Sequence, residues 1–173
     1  MKTLEQLFLD SLADMFYAEK QLTKALPKMA TAATHGDLRE AFELHLAKTE
    51  GHLQKVQRVF ELCDESPWSK RCPAIVGIIK EAEELISENK KCPTINAALV
   101  MAAQKAEHYE IASYGCLRDW ARQLQKEDAA KVLDEILAEE KKADVKLTEL
   151  AKAHCNITAE MGEETERPLA RAA

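Results

Sequence analysis

The sequence predicts an all-α fold in which four long helices form a bundle. Ala, Leu, Glu and Lys, which favour helices, dominate the 173 residues, and the chain contains 5 Gly and 5 Pro. Apolar residues recur every three or four positions over four long segments, which is the spacing of a buried helix face. A chain of this length is expected to form one domain with a sizeable core.

Caps and breakers mark the ends of the predicted helices. Thr3 with Gln6, and Asp37 with Glu40, have the spacing of N-terminal capping boxes. Gly36 is expected to end the first helix. The predicted helices cover about residues 4–34, 37–63, 73–88, 95–126 and 129–156.

The connections predict the topology. Short links at Gly36 and at Glu127-Asp128 make two antiparallel hairpins, and about 30 residues with a short helix opening at Pro73 connect them. Two hairpins joined by one long crossover are the ferritin-like form of the four-helix bundle. We expect this bundle to occupy residues 1–156, and the polar residues 157–173, which lose the helical period, to form a flexible tail.

Composition excludes several classes of function. The net charge of -6 argues against a nucleic-acid surface, which needs clustered Lys and Arg. No apolar run of about 18 residues and no signal peptide is apparent, so we expect a cytoplasmic protein without a membrane span. The 5 Cys form no C-x-x-C pair and are expected to be reduced thiols.

Polar residues interrupt the apolar stripe of every long helix near its middle. In an antiparallel bundle, mid-helix positions share one cross-section, so these side chains are expected to converge on one level. The residues are Glu19 on the first helix, His45, Thr49 and His52 on the second, Glu107 and Glu110 on the third, and Glu140 and Asp144 on the fourth.

Such a layer is best satisfied by metal ions. Several carboxylates in a dry core repel one another and lose their hydration unless cations neutralise them. Oxygen-rich ligation with one or two imidazoles favours iron or manganese over zinc or copper. The candidate metal ligands are Glu19, His45, His52, Glu107, Glu110, Glu140 and Asp144.

Two observations count against a complete metal site. Taken singly, each of these residues is more often a solvated flank or a structural hydrogen-bonding group than a ligand. The Glu-x-x-His pair usual in di-metal bundles is absent. Thr49 stands three residues before His52, where Glu would be expected, and Ala143 stands three residues after Glu140, where His would be expected. We therefore expect a degenerate site that is poor in ligands.

Three segments carry a resemblance to a known family. They read AEKQL at residues 18–22, EHYEIASYG at 107–115 and EEKKADVKLT at 139–148. They resemble the YciE/YciF family of ferritin-like bacterial stress proteins, over roughly residues 1–155. The resemblance implies a ferritin-like bundle, a homodimer and a link to bacterial stress, with an activity that is not settled for the family. Lys48 departs from the Glu often found before Thr49, which leaves His45 or His52 as the ligand candidates of that helix.

Two hypotheses of function follow. The first is a ferritin-like stress-response protein with a degenerate di-metal site of iron or manganese, whose chemistry would be ferroxidase activity or peroxide consumption. The alternative is a non-enzymatic, dimeric helical scaffold without bound metal, and the sequence does not assign catalysis. Gly51, a mid-helix glycine beside the polar layer, predicts a close helix approach within the bundle or at a dimer contact.

Overall fold

The computed structural model describes residues 1–166, and residues 167–173 lie outside the described part. The described chain is helical, and no strand occurs in residues 1–166. Its elements are α1 (Leu4–Ala32), α2 (Gly36–Glu61), α3 (Pro73–Glu88), α4 (Ile95–Gln123), α5 (Glu127–Leu150), a π-helical turn (Ala151–Cys155) and α6 (Asn156–Glu166).

The four long helices form the ferritin-like bundle that the sequence predicts. Helix α1 packs against α2 and α4 packs against α5, which makes the two hairpins. The hairpins meet through α2 against α5 and α1 against α4, while the crossover helix α3 covers α1 and α4. None of the helices in residues 1–166 combines the length and the hydropathy that crossing a bilayer requires.

The capping predictions have different outcomes. At the start of α1, Thr3 and Gln6 form both hydrogen bonds of the predicted capping box. The prediction for α2 is wrong, because Gly36 is already helical and His35 is the N-cap, with no side-chain hydrogen bond. Asp37 therefore lies inside the first turn, where its carboxylate favours the positive end of the helix without capping it.

The C-terminal segment differs from the expected tail. The chain passes through the π turn Ala151–Cys155 and continues as α6 to Glu166, and this segment packs against α4. A π turn adds a residue to the helical repeat, which breaks the period that the sequence pattern relies on. The part of the expected tail at residues 167–173 lies outside the described residues.

Two apolar clusters fill the bundle, one on each side of the polar layer. One cluster includes Phe8, Phe60 and Leu133, each 0% exposed. The other includes Phe42 and Leu99 at the opposite end of the bundle. The polar residues of the four helices therefore occupy the level between the two apolar halves.

The cysteines and Gly51 complete the comparison with the sequence. All five cysteines are free thiols, as expected. A Cβ atom placed on Gly51 would meet no heavy atom within 4 Å, so this glycine does not permit a close approach within the described chain.

Core packing yields the first testable prediction. Leu133→Ala should reduce the unfolding free energy by about 2–5 kcal/mol, because it removes a 0% exposed side chain and leaves a cavity. Leu7→Ala is the matched control, since Leu7 is 40% exposed and its truncation should cost within about 0.5 kcal/mol. Urea unfolding followed by circular dichroism measures both, and equal losses would contradict the assigned packing.

Candidate metal centre

All four long helices contribute a buried polar side chain to one level of the bundle. Their spacing of three, four or seven residues on α2 and α4 places these side chains on the inward face. Each is at most 8% exposed, so the layer is desolvated. The members are Glu19 on α1, His45, Thr49 and His52 on α2, Glu107 and Glu110 on α4, and Glu140 on α5.

The layer resolves into two groups of potential ligand atoms. One group is formed by His45, Glu107, Glu110 and Glu140, and the other by Glu19, His52 and Glu140. Within each group, one nitrogen or oxygen atom of every residue lies within 4.8 Å of the others. Glu140 belongs to both groups, which is the position of a carboxylate that can bridge two ions.

The two histidines face the shared carboxylate from opposite sides. His45 Nε2 lies 3.2 Å from Glu107 Oε1 and 3.7 Å from Glu140 Oε2. His52 Nδ1 lies 2.8 Å from Glu140 Oε1 and 3.7 Å from Glu19 Oε1. Each group thus combines one imidazole nitrogen with two or three carboxylates.

Several carboxylate oxygens in the layer have no hydrogen-bond partner among the described residues. They include both oxygens of Glu110, Oε2 of Glu19 and Oε2 of Glu107, all of them buried. A buried, unpaired carboxylate oxygen is costly, and native proteins satisfy nearly all such atoms. The protein's own donors therefore do not complete this layer.

Burial shifts the proton affinity of three of the carboxyl groups. Desolvation raises the pKa of Glu19 to about 7, against the opposing effect of His52, and raises the pKa of Glu107 to about 7, against that of His45. Desolvation, reinforced by the charges of Glu140 and Glu19, raises the pKa of Glu110 well above its usual value. The three groups resist ionisation unless a positive charge lies beside them.

In the two histidines and Glu140, attraction between opposite charges outweighs burial and favours the charged form. Burial alone would lower the pKa of His45, but the hydrogen bond and charge of Glu107 outweigh it and raise that pKa to about 9. The pKa of His52 is also raised, because Glu140 outweighs its burial. Burial would raise the pKa of Glu140, yet His52 and His45 together lower it. Among the four carboxyl groups of the layer, Glu140 thus loses its proton most readily.

Two neighbours orient the ligand candidates. Tyr114, which is 0% exposed on α4, donates its hydroxyl hydrogen to Glu19 Oε1. Glu139 Oε2 lies 2.8 Å from His52 Nε2, and Lys55 Nζ donates to Glu139 Oε1 at 2.7 Å. This contact holds the His52 ring with Nδ1 towards the layer, as a carboxylate beside a metal-binding histidine does.

The helical period accounts for one of these two neighbours. Tyr114 follows Glu107 by seven residues and Glu110 by four, which places it on the same face of α4, and its hydroxyl reaches the layer. Glu139 was missed, because its position beside Glu140 and two lysines is typical of a solvated face. The sequence pattern of a single helix does not indicate that the Glu139 carboxylate contacts His52 on another helix.

The predicted ligand Asp144 does not lie with the others. Gln104 Nε2 donates to Asp144 Oδ1 at 3.0 Å, and His108 Nε2 lies 3.3 Å from the same oxygen. The Asp144 side chain is 22% exposed and belongs to neither ligand group. Four residues after Glu140 it points about 40° further round α5, which turns it to the rim between α4 and α5.

A cavity of about 490 Å³ connects part of the layer to the surface. His45 and Glu107 line it, together with Lys48, Lys142 and Lys146 from the adjacent turns of α2 and α5. None of the three lysines forms an ion pair within the described chain, and Lys48 stands where the family resemblance leads one to expect a carboxylate. Asp37 and Glu40 line the same cavity, so three cationic and two anionic side chains surround the approach to the His45 group.

The buried titrating groups predict how stability depends on pH. For chelator-treated protein, we expect the unfolding free energy to fall as the pH rises from about 5 to about 9. The folded chain keeps protons on Glu19 and Glu107 up to about pH 7 and on His45 up to about pH 9, whereas the unfolded chain releases them near 4.5 and 6.5. Stabilisation that is complete below the unfolded pKa is lost as the pH passes the folded pKa.

Urea unfolding at a series of pH values measures this dependence. Glu107→Gln should flatten the decline, since it removes one of these carboxyl groups and the first cause of the raised pKa of His45. Glu140, whose pKa is lowered, acts in the opposite direction but mainly below about pH 4.5. A decline of the same slope in the variant would contradict the assigned electrostatics.

The sequence and the fold of this chain are similar to those of known proteins. The family model described as "Domain of unknown function (DUF892)" matches residues 3–160. Protein YciF of Escherichia coli is 46% identical over 161 residues, which cover 92% of this chain and 97% of that protein.

Solved structures agree with this relationship. The crystal structure of the E. coli stress protein YciF matches with a TM-score of 0.86 and 46% identity, over 90% of this chain and 99% of that one. YcfI from Rhodopseudomonas palustris matches with a TM-score of 0.83 and 44% identity, over 85% and 94% of the two chains. A Xanthomonas campestris protein shares the fold at 23% identity, with a TM-score of 0.71 over 92% and 98%. From the family match and the identity to YciF, the chain belongs to the DUF892 family.

Proposed function

We propose that this chain is a ferritin-like metalloprotein that binds two divalent ions, iron or manganese, in the polar layer. The observation that carries the proposal is the set of buried carboxylate oxygens without a partner, on Glu19, Glu107 and Glu110. These atoms are buried, and no donor of the described chain reaches them. Divalent cations would satisfy them directly.

Charge supports two ions. The layer contains four carboxyl groups, Glu19, Glu107, Glu110 and Glu140, so full ionisation gives four negative charges. Two divalent cations match that charge while the imidazoles are neutral. The raised pKa values of Glu19 and Glu107 then describe the proton that each ion would displace on binding.

The ligand sets fit iron or manganese. His45, Glu107, Glu110 and Glu140 would hold one ion, and Glu19, His52 and Glu140 the other. One nitrogen with several carboxylate oxygens suits these metals, whereas zinc and copper prefer more nitrogen or sulfur. When bound, such a pair supplies two-electron redox chemistry towards an oxidant. Tyr114 and Glu139 keep Glu19 and His52 oriented for this role.

The proposed role in a stress response is based on the similarity to E. coli YciF. E. coli YciF is described as a stress protein and is similar over most of the chain. A metal pair that consumes peroxide or oxidises ferrous iron would serve such a response. The cavity beside His45 and Glu107 offers the path by which a small molecule reaches the ions.

Metal content tests the proposal. Protein purified from cells supplied with iron and manganese should contain two ions per chain by elemental analysis, one for each ligand group. Glu110→Gln should weaken binding by at least ~10-fold, since it removes a ligand with two unpartnered oxygens. Asp144→Asn is the matched control on α5, because Asp144 lies outside both groups and its change should leave the content unaltered.

The alternative function is the other outcome of this experiment. A folded chain that is purified without metal and does not bind ferrous iron under anaerobic conditions would be a helical scaffold. Circular dichroism of each variant separates a lost ligand from a lost fold. Equal metal content in Glu110→Gln and the unaltered chain would contradict the assigned ligands.

We also propose the homodimer expected from the sequence. Gly51 presents an open backbone on α2, with no heavy atom of the described chain within 4 Å of an added Cβ, so a second copy has room to approach there. Leu44 lies seven residues before Gly51, on the same face of α2, and is 59% exposed, so an apolar side chain is available beside that backbone. Light scattering should give twice the chain mass of 19.4 kDa, and Gly51→Leu should shift it towards one chain.

A further inference from the structure

A second group of metal-binding side chains lies at the α1–α2 end of the bundle, away from the polar layer. It consists of His35, the N-cap of α2, Asp37 in the first turn of α2, and His154 in the π turn. One potential ligand atom of each residue lies within 4.8 Å of the other two. None of these residues belongs to the two ligand groups of the core.

The fold brings the two histidines together from distant parts of the sequence. Their rings stack with centroids 4.6 Å apart and an angle of 24° between the planes. His154 reaches this position from the π turn Ala151–Cys155, which changes the phase of the helix at that point. Such turns occur frequently at functional sites.

The group lacks other partners. Nδ1 of His35 is buried and has no hydrogen-bond partner in the described chain. The side chains of Asp37 and His154 form no ion pair or hydrogen bond with any other described residue. Two imidazoles and a carboxylate therefore meet at the surface, where Asp37 and His154 are exposed and His35 is partly buried. Their ligand atoms have no other partner in the described chain.

We propose that His35, Asp37 and His154 bind one Zn²⁺ ion. Two imidazole nitrogens and one carboxylate oxygen are a usual zinc ligand set, and water can complete the tetrahedron. The greater share of nitrogen separates this group from the oxygen-rich layer in the core. The proposal does not depend on metal in that layer.

Binding requires one of the two rings to rotate out of the stack. In a parallel stack the two lone pairs lie in different planes, so they cannot point at a common ion. His154 is exposed, whereas His35 is partly buried, so His154 is the side chain that has room to change its rotamer. Its ring then leaves the stack and turns a nitrogen towards Asp37 and His35.

The zinc ion would connect the π turn and helix α6 to the start of α2 in the first hairpin. His154 lies just before α6, whereas His35 and Asp37 begin α2, so the bound ion would bridge two elements that are far apart in sequence. Zinc should therefore slow backbone hydrogen exchange in the π turn and in α6. A ligand that binds the folded chain stabilises it through this link.

Competition between the protein and a zinc-sensitive dye tests the proposal. His154→Gln and His35→Gln should each weaken zinc binding by at least ~10-fold and abolish the slowing of exchange over residues 151–166. His108→Gln is the matched control, because His108 is an exposed histidine beside the single carboxylate Asp144. It should leave the affinity unchanged.

A core variant separates this group from the proposed di-metal layer. Glu110→Gln should retain the zinc affinity that depends on His154, whatever its effect on iron or manganese. Equal zinc affinity in His154→Gln and the unaltered chain would overturn the proposal. So would a loss of the same size in His108→Gln, since that would show unspecific binding by surface histidines.

Discussion

The rest of the structure depends on the burial of four carboxyl groups and two imidazoles at one level of a helical bundle. This layer divides the apolar core into two halves, and each of the four long helices carries at least one of its members. The attraction between histidines and carboxylates offsets part of the desolvation cost, which is why Glu140 ionises easily while Glu110 does not. The oxygens that remain unpartnered are the basis of the proposed cation binding.

The two halves of the layer are not equivalent. The half with Glu19 and His52 is closed by Tyr114 and Glu139, and both of its ligand candidates are 0% exposed. The half with His45 lines a cavity whose wall carries lysines. Chemistry with a small molecule would therefore occur on the His45 side, while the other side holds its ligands in a fixed geometry. Glu140 connects the two because both histidines contact it.

Ligand chemistry differs between the core layer and the group at the end of the bundle. The core supplies mainly carboxylate oxygen, whereas the group at His35 and His154 supplies mainly imidazole nitrogen. These donor sets select different metals through the hardness of the ligand atoms. If both proposals hold, the interior would carry the redox pair and the surface the structural ion, each in the donor set that suits it.

The sequence by itself determined the four long helices, the crossover helix, their connections and the level of most of the polar residues, because these follow from local periodicity and from the lengths of the links. It could not determine which neighbours of Glu140 join the layer. Glu139, about 100° round the helix, reaches His52, while Asp144, about 40° round, turns to Gln104. Those outcomes depend on the rotation of α5 against α2 and α4, and packing sets that rotation. The π turn and the meeting of His35 with His154 were also decided only in the tertiary structure, since no local pattern records a contact across the whole chain.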